Sequence, residues 1–393
     1  MSKVIPYGKQ NISEEDITAV VNVLKSDYLT QGQIVPDFEK AVSKYVGVKH
    51  GVAVNSATSA LHIACLALNL SKGDIVWTTP ISFVASSNCA LYCGASIDFV
   101  DIEEETFNMS VVSLENKLKE AKIIGKLPKV VIPVHLCGHS CDMKKIFDLS
   151  KEFGFNIIED ASHAIGGKYL GTHIGSCKYS DITIFSFHPV KIITTGEGGM
   201  VMTNDLKLLE KLQRLRSHGI TRNASEMTSH PDGPWYYQQI ELGYNYRMTD
   251  IQAALGLSQL KKIDDFVKSR NKIASWYDNS LRNYKGIETP KRREDTYSAF
   301  HLYVIRVTND NSSSQLSIFE RLRANGIFVN LHYIPIYRHP FYLKMGFDFN
   351  NFPVSEKYYR EAITLPIYPG LTEKELKTII NVLASPFNFQ TIF

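Results

Sequence analysis

The sequence predicts an α/β fold with a mostly parallel central sheet and a smaller C-terminal α+β unit, and three observations carry that prediction. Short apolar runs at 51–54, 74–78, 96–101, 129–134, 156–159 and 182–187 alternate with helical patterns at 58–68, 83–91, 112–121 and 143–153. Strands joined by helices run parallel and are covered on both faces. After about Thr249 the alternation gives way to one long helical pattern and then to mixed short elements. The chain, at 393 residues, also exceeds the ~100–200 residues of an ordinary domain. The expected division is a large domain over 1–250, including an N-terminal segment, and a connecting helix with a small domain over 251–393.

The elements follow in order. Ser13, with Asp16 three residues on, reads as a capping pair opening a helix that aligns Ile17, Val20, Val21 and Leu24 on one face. A second helix fits 38–46, stopped by Gly47. The strands and helices of the alternating region come next. Residues 249–281 contain no proline and carry Ile251, Ala254, Leu255, Leu257, Leu260 and Ile263 at helical spacing. They predict one long helix, either a connector between domains or a face turned to a partner. Beyond Pro290 the sequence predicts a strand at 301–307, a helix at 316–324, a strand at 327–331 and a last helix at 373–383. The charged segment 291–295 is a solvated turn.

Composition removes several classes of function. The apolar share is 44% and the charged share 21%, values of a globular protein rather than a disordered one. Lys plus Arg number 43 against 40 Asp plus Glu, with no dense basic block, which argues against nucleic-acid or membrane-surface binding. The longest apolar runs, such as 130–134 and 182–187, are strand-sized, well short of the ~20 residues of a membrane helix. The N-terminal residues carry no apolar core before a small-residue cleavage site, so no export signal is expected and the cytoplasm is the default compartment. Six cysteines are too sparse for a disulfide framework and fit a reducing compartment. His135, Cys137, His139 and Cys141 alternate within one stretch, but lack the paired spacing of a zinc site. No metal is expected.

Chemistry concentrates at strand ends, where open α/β sheets bind ligands. Val54 runs into Asn55-Ser56-Ala57-Thr58-Ser59-Ala60-Leu61, a polar turn opening an apolar helix. Free N–H groups and hydroxyls there form a phosphate seat, although plain N-capping by Ser56 would explain the same residues. Neither the G-x-x-x-x-G-K-[ST] loop nor G-x-G-x-x-G occurs, which counts against ATP and NAD. The strand at 156–159 leads into Glu159-Asp160, with no second acid pair nearby to suggest a metal. The strand at 182–187 leads into His188-Pro189-Val190-Lys191 and then Thr194-Thr195-Gly196-Glu197-Gly198-Gly199. Burial lowers an ammonium pKa and makes the amine an imine-forming nucleophile, though a lone lysine is more often a surface residue. A phosphate seat, an acid at a strand end and a partly buried lysine are together the protein half of a pyridoxal phosphate site. The lysine takes the aldehyde, the acid keeps the pyridine nitrogen protonated, and the phosphate anchors the cofactor while substrates exchange.

Four segments in order, Asn55–Leu61, Glu159-Asp160-Ala161-Ser162-His163, Phe185-Ser186-Phe187-His188-Pro189-Val190-Lys191 and Gly243-Tyr244-Asn245-Tyr246-Arg247-Met248, resemble the DegT/StrS sugar-nucleotide aminotransferases. The likeness runs from Ile5 to about Leu371. It implies the aspartate-aminotransferase fold (fold type I), pyridoxal 5′-phosphate as cofactor and a homodimer with shared active sites. It is greatest to the branch that passes the amino group of L-glutamate to C4 of a UDP-linked 4-keto-6-deoxy-N-acetylhexosamine. The product there is UDP-4-amino-4,6-dideoxy-N-acetyl-β-L-altrosamine, for pseudaminic acid. Ile5-Pro6-Tyr7, Tyr28-Leu29-Thr30-Gln31-Gly32, residues 186–199 and Leu331-His332-Tyr333-Ile334-Pro335 carry that closer likeness.

Carried over by position, the resemblance implies that Lys191 holds the cofactor covalently and shuttles the proton. Asp160 pairs with the pyridinium nitrogen and His163 lies near the phenolic oxygen. Phe83 stacks on the ring; Thr58, Ser59 and Ser186 hold the phosphate, which Asn245 reaches from the neighbouring subunit. Tyr7, Gln31, His332 and Tyr333 are candidates for the sugar-nucleotide pocket. Each has a plainer alternative: Phe83 as a core aromatic, His163 as a satisfied helix-start histidine, Tyr7 and Tyr333 as interface residues. Gln33 stands where relatives commonly carry proline, and Ser56-Ala57-Thr58 lacks a glycine many relatives have. Lys191 is retained, which argues against the dehydratase branch, where histidine replaces it. Two rivals are the same chemistry on another nucleotide 4-ketosugar (bacillosamine, legionaminic acid or dTDP-sugar type) and a non-enzymatic cofactor-binding regulator.

Overall fold

The structure is a computed structural model that describes residues 4–308 and 314–385. The first three residues and residues 386–393, both within the expected domain spans, lie outside the described residues. Seven strands form the central sheet: β1 His50–Val54, β2 Ile75–Thr78, β3 Ser96–Phe99, β4 Val130–Ile132, β5 Asn156–Asp160, β6 Ile182–Ser186 and β7 Gly199–Thr203. Their spatial order is β1-β7-β6-β5-β4-β2-β3. All neighbours pair parallel except β7, which runs antiparallel between β1 and β6. The carboxyl ends of β1, β2, β5 and β6 therefore share one edge.

Strand β7 was not foreseen in the sequence. Its residues Gly199-Met200-Val201-Met202-Thr203 follow a glycine-rich loop and are buried on both faces, so no alternation marks them. Gly199 is required where it stands: a Cβ there would lie 2.6 Å from Ala57 N and from the Ser56 carbonyl carbon. The bare backbone lets the start of the helix that follows β1, at Ala57, sit directly against β7.

Around the sheet lie α1 Glu14–Leu24, α2 Ile34–Val46, α3 Ala57–Ala67, α4 Ala85–Tyr92, α5 Val111–Ile123, α6 Met143–Phe153 and α7 Leu206–Arg216. Helix α3, apolar over most of its length after a polar first turn, is buried almost all round. Its fully buried Leu61 and Ile63 each contribute roughly 1.5–3 kcal/mol of transfer free energy. The long helix expected over 249–281 is two helices, α8 Asp250–Leu260 and α9 Ile263–Leu281. The break has a tertiary cause. Lys262 Nζ reaches the buried Asp16 carboxylate at 2.6 Å, beside Ser258 Oγ and Gln259 Nε2, each also at 2.6 Å. Asp16 accepts the Ser13 N–H at 2.9 Å as the capping pattern predicts, but it also ties α1 to α8.

The C-terminal part builds a second core from α9, strands Ile287–Glu288, Tyr303–Val307 and Ala362–Leu365, and helices Gln315–Ala324 and Glu373–Ala384. The strand expected over 327–331 is only Ile327–Phe328, paired parallel with Ile5–Pro6. After it the chain leaves the pairing, Asn330 bridging to Thr364, and delivers His332 and Tyr333 to the sheet edge. Ile5 packs into this same core. No helix among the described residues is long and apolar enough to cross a membrane.

Candidate active site

A cavity of about 780 Å³ opens at the carboxyl edge of the sheet. Every site residue that the family resemblance implies lines it except Gln31 and Asn245, which are exposed elsewhere on the chain.

The end of β1 and the start of α3 form one part of its wall. Ser56 does cap α3, accepting the Ser59 N–H at 3.1 Å, so the plainer reading of that serine holds. The capping is incomplete, however. The first N–H groups of a helix have no intrahelical acceptor, and the Thr58 hydroxyl has no hydrogen-bond partner among the described residues. Ser59 Oγ donates to Asn55 Oδ1 at 2.7 Å. Ser186, ending β6, lines the same cavity. This end suits an anion.

Asp160, at the end of β5, is 5% exposed. Its Oδ2 accepts the Ser86 hydroxyl at 2.6 Å; its Oδ1 accepts the Ser162 hydroxyl at 2.6 Å and the Ser162 N–H at 3.1 Å. Hydrogen bonds to a charged group contribute about 1.5–3 kcal/mol each, so this carboxylate is firmly held. Glu159, the other acid of the pair, points away. It meets His135 Nε2 at 2.8 Å and accepts the Thr183 hydroxyl at 3.1 Å. His135 takes the Cys141 N–H on its other nitrogen at 3.1 Å, so both its nitrogens are committed within the cluster that the sequence raised as a metal candidate.

Lys191 follows β6 in a turn closed by its own N–H to His188 O at 2.9 Å. Its Nζ forms no hydrogen bond or ion pair with a described residue. Burial lowers its pKa to about 8 against the opposing charge of Asp160. A substantial neutral amine fraction at physiological pH is what a carbonyl-attacking lysine needs.

Three buried imidazoles complete the floor. His163 Nε2 lies 3.1 Å from Tyr333 Oη, and its Nδ1 is buried without a partner. It is not the satisfied histidine of the plainer reading. His301 packs against it with the ring planes tilted and the centroids 4.5 Å apart, its own Nδ1 also unpartnered. His332 bonds Thr364 Oγ1 at 2.9 Å. Burial, then the nearby Lys191, holds all three well below the usual histidine range, His332 at about 3. All are neutral at pH 7. Burial also raises the Tyr333 and Tyr7 hydroxyls. Phe83 is 59% exposed, ruling out a core role, and stands just before α4 with Tyr333 at 6.2 Å.

Ser86, Ser162 and His301 were not picked out in the sequence. Ser162 carried a signal, since a serine two residues after an aspartate commonly closes a turn on it. Ser86 and His301 carried none, because their roles depend on contacts across the fold.

These residues fit pyridoxal phosphate on geometry alone: an unpaired, partly neutral lysine, a fixed carboxylate, a helix start with free donors, an exposed aromatic and orphaned buried imidazole nitrogens. Comparison with known proteins agrees. Residues 10–384 match the DegT/DnrJ/EryC1/StrS aminotransferase family. The chain is 38% identical to a UDP-4-amino-4,6-dideoxy-N-acetyl-beta-L-altrosamine transaminase of Campylobacter jejuni, covering 97% of each. It is 35% identical to a GDP-perosamine synthase of Caulobacter vibrioides, covering 90% of each. Among solved structures, Helicobacter pylori PseC, an aminotransferase of pseudoaminic acid biosynthesis, superposes with a TM-score of 0.88 at 33% identity, covering 98% and 99% of the two chains. The PLP form of the putative sugar aminotransferase Spr1654 from Streptococcus pneumoniae gives 0.86 at 30% identity, covering 98% of each. The fold is the aspartate-aminotransferase architecture and pyridoxal phosphate is the cofactor. The chain belongs to the DegT/DnrJ/EryC1/StrS aminotransferase family and is an enzyme that aminates nucleotide-linked sugars.

Proposed function

We propose that this enzyme transfers the amino group of L-glutamate to C4 of a UDP-linked 4-keto-6-deoxy-N-acetylhexosamine, giving UDP-4-amino-4,6-dideoxy-N-acetyl-β-L-altrosamine. The observation that carries the reading is the near full-length likeness to the C. jejuni transaminase. When bound, pyridoxal phosphate supplies an electron sink for a carbanion beside the transferred nitrogen and carries the amino group between the two substrates.

The chain's own residues divide the work. Lys191 attaches the cofactor through its amine and then moves the proton at the glutamate Cα or the sugar C4; delivery to one face sets the configuration of the product amine. Asp160, fixed by Ser86 and Ser162, holds the proton on the pyridine nitrogen. Thr58, Ser59 and Ser186 bind the phosphate at the start of α3. Phe83 covers the ring, and His163, kept neutral, faces the phenolic oxygen. Tyr7, His332 and Tyr333 line the acceptor side, which Gln31 joins. Asn245, exposed and outside its own cavity, completes the site of a second copy in a homodimer.

Shared sites have a specific signature. Mixing inactive Lys191→Ala and Asn245→Ala chains after subunit exchange restores about a quarter of the sites, because each mixed dimer holds one intact site. No recovery contradicts sharing. Acceptor choice is tested by supplying glutamate with epimeric UDP-4-ketosugars and with GDP- and dTDP-linked ones, following 2-oxoglutarate release. The UDP-linked precursor of the L-altro product should lead in kcat/KM by at least about tenfold. Preference for a GDP-4-ketosugar supports the alternative that the perosamine synthase likeness favours.

A further inference from the structure

The donors around Asp160 are unevenly shared between its two oxygens. A carboxylate offers about four acceptor positions, roughly two on each oxygen. Oδ1 takes two donors from one residue, the Ser162 hydroxyl at 2.6 Å and the Ser162 N–H at 3.1 Å. Oδ2 takes the Ser86 hydroxyl at 2.6 Å. Among the described residues the unfilled position is therefore on Oδ2, which leaves that oxygen to face a ring nitrogen.

Behind Ser86 stands a second hydroxyl. Ser82 Oγ lies 2.8 Å from Ser86 Oγ. A carboxylate only accepts and a hydroxyl carries a single proton. The Ser86 proton is spent on Asp160, so Ser82 is the donor to Ser86. The three groups form a chain with one sense, from Ser82 to Ser86 to Asp160 Oδ2. Both serines are buried and both border the cavity. They bracket Phe83 at the entrance to α4, where the Phe83 carbonyl accepts the Ser86 N–H at 3.2 Å. The chain thus runs beside the residue assigned to the ring face and ends on the residue assigned to the ring nitrogen.

We propose that Ser82 is a positioning residue that acts through Ser86 on Asp160 Oδ2 and helps to keep the shared proton on the pyridine nitrogen. The inference rests on the reading that Asp160 pairs with that nitrogen. A hydroxyl that itself accepts a hydrogen bond becomes a stronger donor, by about 10–30%. A donor on a carboxylate favours its ionised form. With Ser82 in place, the proton between ring and acid therefore stays with the ring. The sense of the chain also sets a limit on Ser82. Its proton is committed to Ser86, so towards the cavity it can only accept, and it does not join Thr58, Ser59 and Ser186 as a donor to the phosphate.

The test loads the protein with pyridoxal phosphate isotopically labelled at the ring nitrogen and reads that nitrogen by NMR, because its chemical shift separates the protonated from the free form. Asp160→Asn should move the signal towards the free form, and Ser86→Ala part of the way in the same direction. Ser82→Ala should move it by roughly 10–30% of the Ser86→Ala displacement, and no further when Ser86 is already alanine. A serine that merely fills space would leave the nitrogen signal where it is. An unmoved signal in Ser82→Ala, a shift of opposite sense, or an undiminished shift on top of Ser86→Ala would overturn the proposal. If Asp160→Asn moves the signal while Ser82→Ala does not, the relay alone is wrong; if Asp160→Asn also leaves it in place, the pairing of Asp160 with the ring fails as well.

Discussion

On its sheet side the cavity is built from strand ends a few residues long, and several polar groups are anchored nearby in sequence, with Ser86 reaching Asp160 from another helix. Asp160 is held by Ser86 and Ser162, Ser59 by Asn55, and Lys191 by the turn from His188. On its C-terminal side the lining comes from distant parts of the chain. Tyr7 lies 5.1 Å from His332 between ring centroids, and His332 is held in turn by Thr364 and, through its carbonyl, by Tyr358. Under the proposed function the first side supplies, through Lys191 and Asp160, the chemistry common to any amino transfer; the second offers neutral rings and hydroxyls to whatever is aminated. That reading rests reaction type on short segments and acceptor choice on packing across the fold.

The largest expected effect lies on the sheet side. Lys191→Ala should reduce turnover by about 10⁴-fold or more with an unchanged circular dichroism spectrum; near-normal turnover would remove the distinction altogether. Asp160→Asn keeps the shape but not the charge. It should cost about 10²–10³-fold in kcat with glutamate, whichever sugar is supplied.

Acidity sharpens the comparison further. Only the neutral Lys191 amine attacks an aldehyde, and its pKa is about 8. The rate at which apo-protein takes up pyridoxal phosphate should be flat above that pH and fall about tenfold per unit below it. Because Asp160 favours the ammonium form, Asp160→Asn should move the midpoint down; an upward shift would contradict the assignment. Ser86→Ala and Ser162→Ala each remove a hydroxyl from the same carboxylate and should each cost about tenfold, with less than the product when combined. The smallest effect belongs to the other side. Tyr333→Phe removes the hydroxyl beside His163 and should slow the ketosugar half-reaction by about fivefold while sparing the glutamate half. Equal losses in both halves would erase the division.

The same contrast explains what the sequence discloses. Lys191, Asp160 and the Ser56–Ser59 turn are legible because each sits at the end of an apolar run, and one run of residues holds both element and chemistry. The break between α8 and α9 is invisible because it depends on Asp16, buried against Lys262 from the far end of the chain. Strand β7 hides for a related reason: it inserts antiparallel between β1 and β6, and nothing local marks a strand that is buried on both faces after a glycine-rich turn. His301 became part of the site only once the C-terminal core brought it against His163. Gln31 and Asn245 lie outside the cavity, a placement set by the whole fold that their local sequence does not disclose.

The most direct measurement concerns the bond between protein and vitamin. Holoenzyme reduced with borohydride, digested and sequenced by mass spectrometry should carry a pyridoxyl group on the lysine in the His188-Pro189-Val190-Lys191 peptide, and prior incubation with glutamate should abolish that label. A label on a different lysine, or none in freshly reconstituted protein, would contradict the account.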